Sequence, residues 1–216
     1  MTGPRSGSDG PHEVGTSAFH LTGPGFTGAV RTSHPPLPPA PVGSEHHGRK
    51  IMSSQLLYRG PTLEELHEQY AKQGRIDERA PVRAARSVDI DAAPDRVWQV
   101  LSSVADWPSV GPAISSVHLP AGVAVDAAFT WTNDGARIRS RFAVVEHCRE
   151  LTWTGVSFGA RAVHRNLLHR IDGGTTRLAS HESMAGPFLS LVYPSTKLGH
   201  GLTAWLSALK TAAEQR

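Results

Sequence analysis

The residue pair best placed for proton chemistry in this sequence is His164 with Glu182. The two stand on either side of Asp172-Gly173-Gly174, a strong hairpin-turn signal. Antiparallel strands joined there bring them within one or two residue pairs, provided both side chains point to the same face. A carboxylate beside an imidazole holds the ring in one tautomer and leaves the other nitrogen to move a proton. Such a pair suits enolisation of a carbonyl and protonation of a leaving hydroxyl. It equally suits a structural ion pair at a pocket mouth, or a Glu182 that bonds a backbone group. Spacing alone leaves all three open.

Other chemistries lack their residues. No Ser-His-Asp elbow, phosphate-binding loop, Rossmann glycine fingerprint or HExxH motif occurs. Of the twelve histidines, His164 and His169 lie five apart on one strand and face opposite ways. His147 and Cys148 are adjacent, and the same alternation is expected to separate them. His46-His47 falls in a stretch too poor in apolar residues to build a site. No metal and no cofactor is expected. Cys148 is the single cysteine, which excludes an intramolecular disulfide and makes a reducing, cytoplasmic compartment the default.

The formal charge is +3 over 216 residues. Residues 1–85 carry 9 Lys/Arg against 8 Asp/Glu, and the remainder 13 against 11, so neither part has the basic excess of a nucleic-acid binder. No apolar run approaches the roughly 18 residues of a membrane span, so stable membrane insertion is not expected. A charged n-region followed by an apolar h-region is missing from the N-terminal stretch. A monomer or a homodimer fits this composition.

Three segments follow from the pattern. Residues 1–51 read as a disordered tail, because residues 1–50 hold 17 Gly plus Pro, including the run Pro35 to Pro41, and no apolar period. Residues 52–85 read as a short amphipathic helix and a charged linker. Thr62 and Glu65 have capping-box spacing, Leu63, Leu66, His67 and Tyr70 share a face, and Gly74 suits the stop. That helix is expected to dock on the domain or bind a partner. Residues 86–216 form the main domain. A strand at 87–91 precedes two short helices, one opened by Pro94 and one from Asp106 to Gly111. Strands are expected near 115–119, 124–133, 136–147, 150–158, 160–171 and 175–184. A helix from Leu189 to Glu214 closes the chain, with Leu198, Leu202, Trp205, Leu206, Leu209 and Ala213 on one stripe. The order is that of an α+β fold.

These pieces resemble the SRPBCC or START-like superfamily, and in particular its polyketide cyclase/dehydrase branch. The resemblance rests on VDIDAAPDRVWQVLSSVADWPSV, on ELTWTG from Glu150, on AVHRNLLHRIDGGTTRL from Ala162 and on HESMAG from His181. It covers about 130 residues and excludes the first 85. It implies a helix-grip fold, a curved antiparallel sheet of six to seven strands wrapped on the long C-terminal helix. It also implies an internal cavity for a lipid, steroid, hormone or polyketide, and an inward-facing His164 with a Glu at position 182.

Strand alternation predicts which residues line such a cavity. Arg137, Arg139 and Arg141 alternate with Ile138, Ser140 and Phe142, so the latter face in. The same parity places Phe129, Trp131 and Asn133 inside, with Leu151, Trp153 and Ser157, and groups Ser180, Glu182 and Met184 with Leu178. His164, Asn166 and Leu168 share a face, although Val163, Leu167 and Ile171 then fall outside. Leu198 and Leu202 approach from the helix. Gly199 and Gly201 leave room either for a ligand or for close packing. The expected partner is a small hydrophobic molecule, bound without chemistry. One alternative is a cyclase/dehydrase-like enzyme using His164 and Glu182. The other is an interaction module contacting a partner through Arg137, Arg139, Arg141, Arg161 and Arg165.

Overall fold

A computed structural model describes residues 56–172 and 174–215. The tail expected over residues 1–51 lies outside them.

A helical segment, α1, comprises an α turn Leu63–Glu65, a π turn Leu66–Tyr70 and a 3-10 turn Ala71–Gln73. Thr62 Oγ accepts from the Glu65 amide at 3.1 Å, and Gly74 ends the segment in the left-handed region at φ 64°. Strand β1 spans Val82–Ile90, followed by α2 (Pro94–Ser102) and α3 (Trp107–Val110). Strands β2 (Ile114–His118), β3 (Ala128–Asn133), β4 (Ala136–Glu146), β5 (Glu150–Ser157), β6 (Ala160–Arg170) and β7 (Thr176–Ala185) follow. The short α4 (Leu189–Val192) and the long α5 (Ser195–Glu214) end the domain.

The seven strands form one antiparallel sheet in the order β1-β7-β6-β5-β4-β3-β2. The turn at Asp134-Gly135 has positive φ at both residues, as a tight hairpin requires. Phe158-Gly159 closes β5 to β6 in the same way. A bulge between Phe142 and Val144 in β4 resets the alternation, so Phe142 and Val145 both reach the inner core.

Helix α5 lies along β1 on the inner face. Ser195 Oγ accepts from the Arg83 amide, Lys210 donates to the Asp89 carbonyl, and Glu214 accepts from the Asp91 amide. Arg96 of α2 donates to the Ala212, Ala213 and Gln215 carbonyls, which otherwise lack partners at a helix C-terminus.

The sequence expectation needs three corrections here. The first strand begins at Val82, so residues 75–85 are not a free linker; Asp77 and Ala80 are buried and the Asp77 amide donates to Ser183 Oγ. The terminal helix breaks at Tyr193, because Pro194 disfavours helical backbone before it and brings no amide hydrogen. Finally, the outer face of the sheet is not simply solvated. Leu66 and Ala71 of α1 bury Val163 and Ala143 there. This cover explains the apolar Val163 among arginines. Arg141 pairs with Glu64, Arg161 donates to the Arg59 and Pro61 carbonyls, and Arg165 pairs with Glu150. Only Arg137 and Arg139 of the expected arginine stripe are exposed; Arg141, Arg161 and Arg165 are half-buried.

Candidate ligand site

The register fixes which side chains share the inner face. His164 pairs directly with Glu182, Asn166 with Ser180 and Leu168 with Leu178. Trp153 pairs with His164 and with Phe142, Gly155 with Ala162 and with Ser140, and Phe129 with Ser140. Directly paired residues point the same way. Phe129, Trp131, Ile138, Ser140, Phe142, Trp153, His164, Asn166, Leu168, Ser180, Glu182 and Met184 therefore share that face. Asn133 shares it too, at the far end of β3 beside the turn.

Half of this face is filled. Trp107 of α3 meets the rings of Phe129, Trp131, Trp153 and Trp205 at centroid distances of 5.3–6.1 Å. Phe129 stacks on Phe142 at 4.4 Å. Phe129, Phe142, Trp153 and Leu168 are at most 5% exposed. They were expected to line an open cavity; instead they pack against one another and α2, since Trp107 occupies the space between helix and sheet. Leu198 and Leu202 likewise pack on Val82. Two clefts measure about 410 and 280 Å³. The first lies on the outer face between residues 70–79 and the sheet, the second at the β2–β3 edge, and neither is lined by His164 or Glu182.

The other half is more open. Ile138, Ser157, Ala162, Glu182 and Met184, towards the β5–β6 turn, are half-buried. Ala162 makes low ground there, bordered along the strand by His164, while its neighbour Gly155 is buried and crowded by Ser140 Oγ and Ile138 Cγ2. At this border Glu182 Oε2 lies 2.9 Å from His164 Nδ1, with side-chain exposures of 14% and 9%. The imidazole stacks on Trp153 at 4.4 Å and 11°. Its Nε2 sits 3.3 Å from Asn166 Oδ1, which also accepts from Ser180 Oγ at 2.5 Å. Asn166 Nδ2 donates to the Leu151 carbonyl. The ring is thus fixed by a carboxylate at one nitrogen, an amide oxygen at the other and an indole against its face.

Ser140 accepts from Trp131 Nε1 at 3.0 Å, so its hydroxyl is committed to the fold. Ser157 donates to the Arg137 carbonyl. Gly199 leaves room for Arg86, whose guanidinium a Cβ would strike; Gly201 meets only Tyr193 Oη at 3.8 Å. Sequence reasoning missed Tyr193. It packs against the cluster of Val82, Leu198 and Leu202, as Met184 does, and burial followed by the Glu182 charge raises its phenol above the usual range. The break before Pro194 was the signal that could have singled it out.

Among the described residues, two groups of donors are close enough to share a cation, His67 with Glu68 and Asp126, and Asp95 with His147 and Cys148. In the first, Lys72 Nζ already contacts Glu68 and Asp126 at 2.9 Å and fills the cation position. The second corrects the expectation that His147 and Cys148 point apart. Strand β4 ends at Glu146 and Cys148 adopts φ 56°, which leaves Cys148 Sγ 3.7 Å from His147 Nε2.

Comparison with known proteins adds to this geometry. The family model described as polyketide cyclase/dehydrase and lipid transport matches residues 81–214. No curated protein sequence matches the chain significantly. Among solved structures, the Zhui aromatase/cyclase from Streptomyces sp. R1128 is 15% identical with a TM-score of 0.56, covering 62% of this chain and 94% of that one. A START superfamily protein from Mycobacterium smegmatis is 14% identical with a TM-score of 0.52, covering 62% and 97%. The hypothetical protein jhp0584 from Helicobacter pylori is 16% identical with a TM-score of 0.59, covering 63% and 90%. At these identities the likeness shows the helix-grip fold.

Proposed function

Because the chain belongs to the polyketide cyclase/dehydrase and lipid transport family, we propose that its domain binds one small, largely apolar molecule in the open half of the inner face, with the polar end of that molecule at His164 and Glu182. The observation that carries this reading is the pair itself. A buried imidazole, hydrogen-bonded to a half-buried carboxylate, stands where a packed aromatic core gives way to half-buried residues. Pockets of this kind join apolar walls to a few directed polar groups. Ile138, Met184 and Tyr193 supply apolar wall. The 3.3 Å contact between Nε2 and Asn166 is the longer of the two ring contacts, and a ligand oxygen replaces it at least cost.

A second reading, cyclase/dehydrase-type catalysis, is favoured by the 2.9 Å contact between Glu182 and Nδ1. With Glu182 accepting a hydrogen bond from Nδ1–H, a neutral ring whose Nε2 has exchanged Asn166 Oδ1 for substrate takes a proton from a methylene between two carbonyls, giving the enolate that attacks a further carbonyl. The same nitrogen then returns the proton to a departing hydroxyl.

Native mass spectrometry of the full chain purified from its own source tests binding. One retained small molecule per chain, absent from Ala162→Trp, supports the reading; equal retention by both proteins contradicts it. With a bound molecule identified, turnover that survives in both His164→Ala and Glu182→Gln removes the catalytic reading.

A further inference from the structure

The turn between β4 and β5 and the start of α2 carry a donor set that lies apart from His164 and Glu182. From Asp95 at the first turn of α2, and from His147 and Cys148 in the turn, we infer a zinc-class metal site that ties helix to sheet. The three donor atoms lie within 4.8 Å of one another. Cys148 Sγ is 3.3 Å from Asp95 Oδ1 and 3.7 Å from His147 Nε2. Zinc binds thiolate sulfur at about 2.3 Å and imidazole nitrogen or carboxylate oxygen at about 2.0–2.2 Å, so neighbouring ligand atoms of a tetrahedral site stand about 3.5 Å apart. The two measured edges bracket that value, and the third, from Asp95 to His147, is within 4.8 Å.

The donor chemistry selects the metal. One thiolate, one imidazole and one carboxylate suit zinc and cobalt(II), whereas magnesium and calcium prefer all-oxygen sets. Thiolate and carboxylate together balance a divalent charge. His147 is braced from outside the set, with its ring against the edge of Trp98 at 5.5 Å. Asp95 and His147 are exposed and Cys148 is half-buried, so water completes a fourth position. Coordination replaces the thiol proton, which passes to solvent.

Cobalt(II) added to the metal-stripped full chain tests the site, since Cys148 is the only cysteine in the sequence and any thiolate-to-cobalt charge-transfer band reports on it. The expected result is one such band saturating at one cobalt per chain, displaced by zinc. Cys148→Ser abolishes the band, His147→Ala and Asp95→Asn each weaken binding at least about tenfold, and His118→Ala leaves it unchanged. Circular dichroism of the metal-free variants checks that each folds. X-ray absorption of the zinc-loaded wild type supplies an arm independent of variants, and one sulfur in the zinc shell is expected. A shell of nitrogen and oxygen alone, the absence of a thiolate band, or a band unaffected by His147→Ala and Asp95→Asn would overturn the site.

Discussion

His67 Nδ1 lies 2.9 Å from the Thr154 hydroxyl, and Nε2 of the same ring lies 2.9 Å from Asp126 Oδ1. A residue of the segment preceding the main domain is thereby built into the outer face of its sheet. The ring is fully buried. Burial lowers its pKa from the usual 6.5, with Asp126 opposing and Arg141 and Lys72 adding to the shift. His181, also on the outer face, shifts the same way through burial and Arg165. A depressed histidine pKa means the unfolded chain binds more protons, so stability is complete above about pH 6.5 and declines as pH falls below it. The melting temperature is expected to drop between pH 7 and 5, and His67→Asn to flatten part of that drop. A profile identical in wild type and variant would remove His67 as its source.

The cover provided by α1 predicts a stability cost. Leu66→Ala opens a cavity over Val163 and Ala143, at about 2–5 kcal/mol. Removing residues 1–80 exposes both residues and strips the partner from Thr154, so a larger loss is expected. Chemical denaturation of the two variants measures this, and unchanged midpoints would show that α1 detaches in solution.

Glu150 and Arg165 form a two-bonded pair, both contacts at 2.9 Å, and Thr152 adds a hydroxyl to the carboxylate at 2.7 Å. Burial pushes the Glu150 carboxyl up, but Arg165 and Thr152 outweigh it and hold it below the usual range. Arg165→Met leaves this carboxylate buried without its cation, at about 3–5 kcal/mol. Adding Glu150→Gln should recover part of the loss, because the uncompensated charge is then gone. Urea unfolding of both single variants and the double variant measures the coupling, and strict additivity would contradict it.

Filling the low ground should separate binding from folding. Ala162→Leu places a larger side chain on the half-buried floor beside His164, and ligand affinity is expected to fall at least about tenfold while the fold is retained at a stability cost of about 1–3 kcal/mol. Calorimetric titration with the retained molecule and a thermal melt read the two effects. Unaltered affinity would move the ligand elsewhere.

The fold was legible because strand alternation holds on either side of the β4 bulge. Arg137, Arg139 and Arg141 marked the outer side of β4, and the register carries that assignment across the sheet to Glu182. Val163 was the residue that parity alone made puzzling, since its cover comes from Leu66, far away in sequence. Trp107 was legible as part of a short helix, but not as the residue that fills the hollow, because its ring contacts come from β3, β5 and α5. The proximity of His147 and Cys148 was hidden for a local reason. Alternation holds only within a strand, and Cys148 leaves it through a left-handed backbone that only glycine and a few polar residues adopt readily.

The central claim is that a small apolar molecule binds beside His164 and Glu182. Amide-resolved NMR during titration with palmitate, a steroid and an anthraquinone tests it most directly. The account predicts that a probe that binds shifts Ala162, His164, Glu182, Met184 and Gly201 together. Shifts confined to the exposed apolar residues Leu57, Phe158, Phe188, Leu191 and Val192, or no shift with any probe, would contradict it.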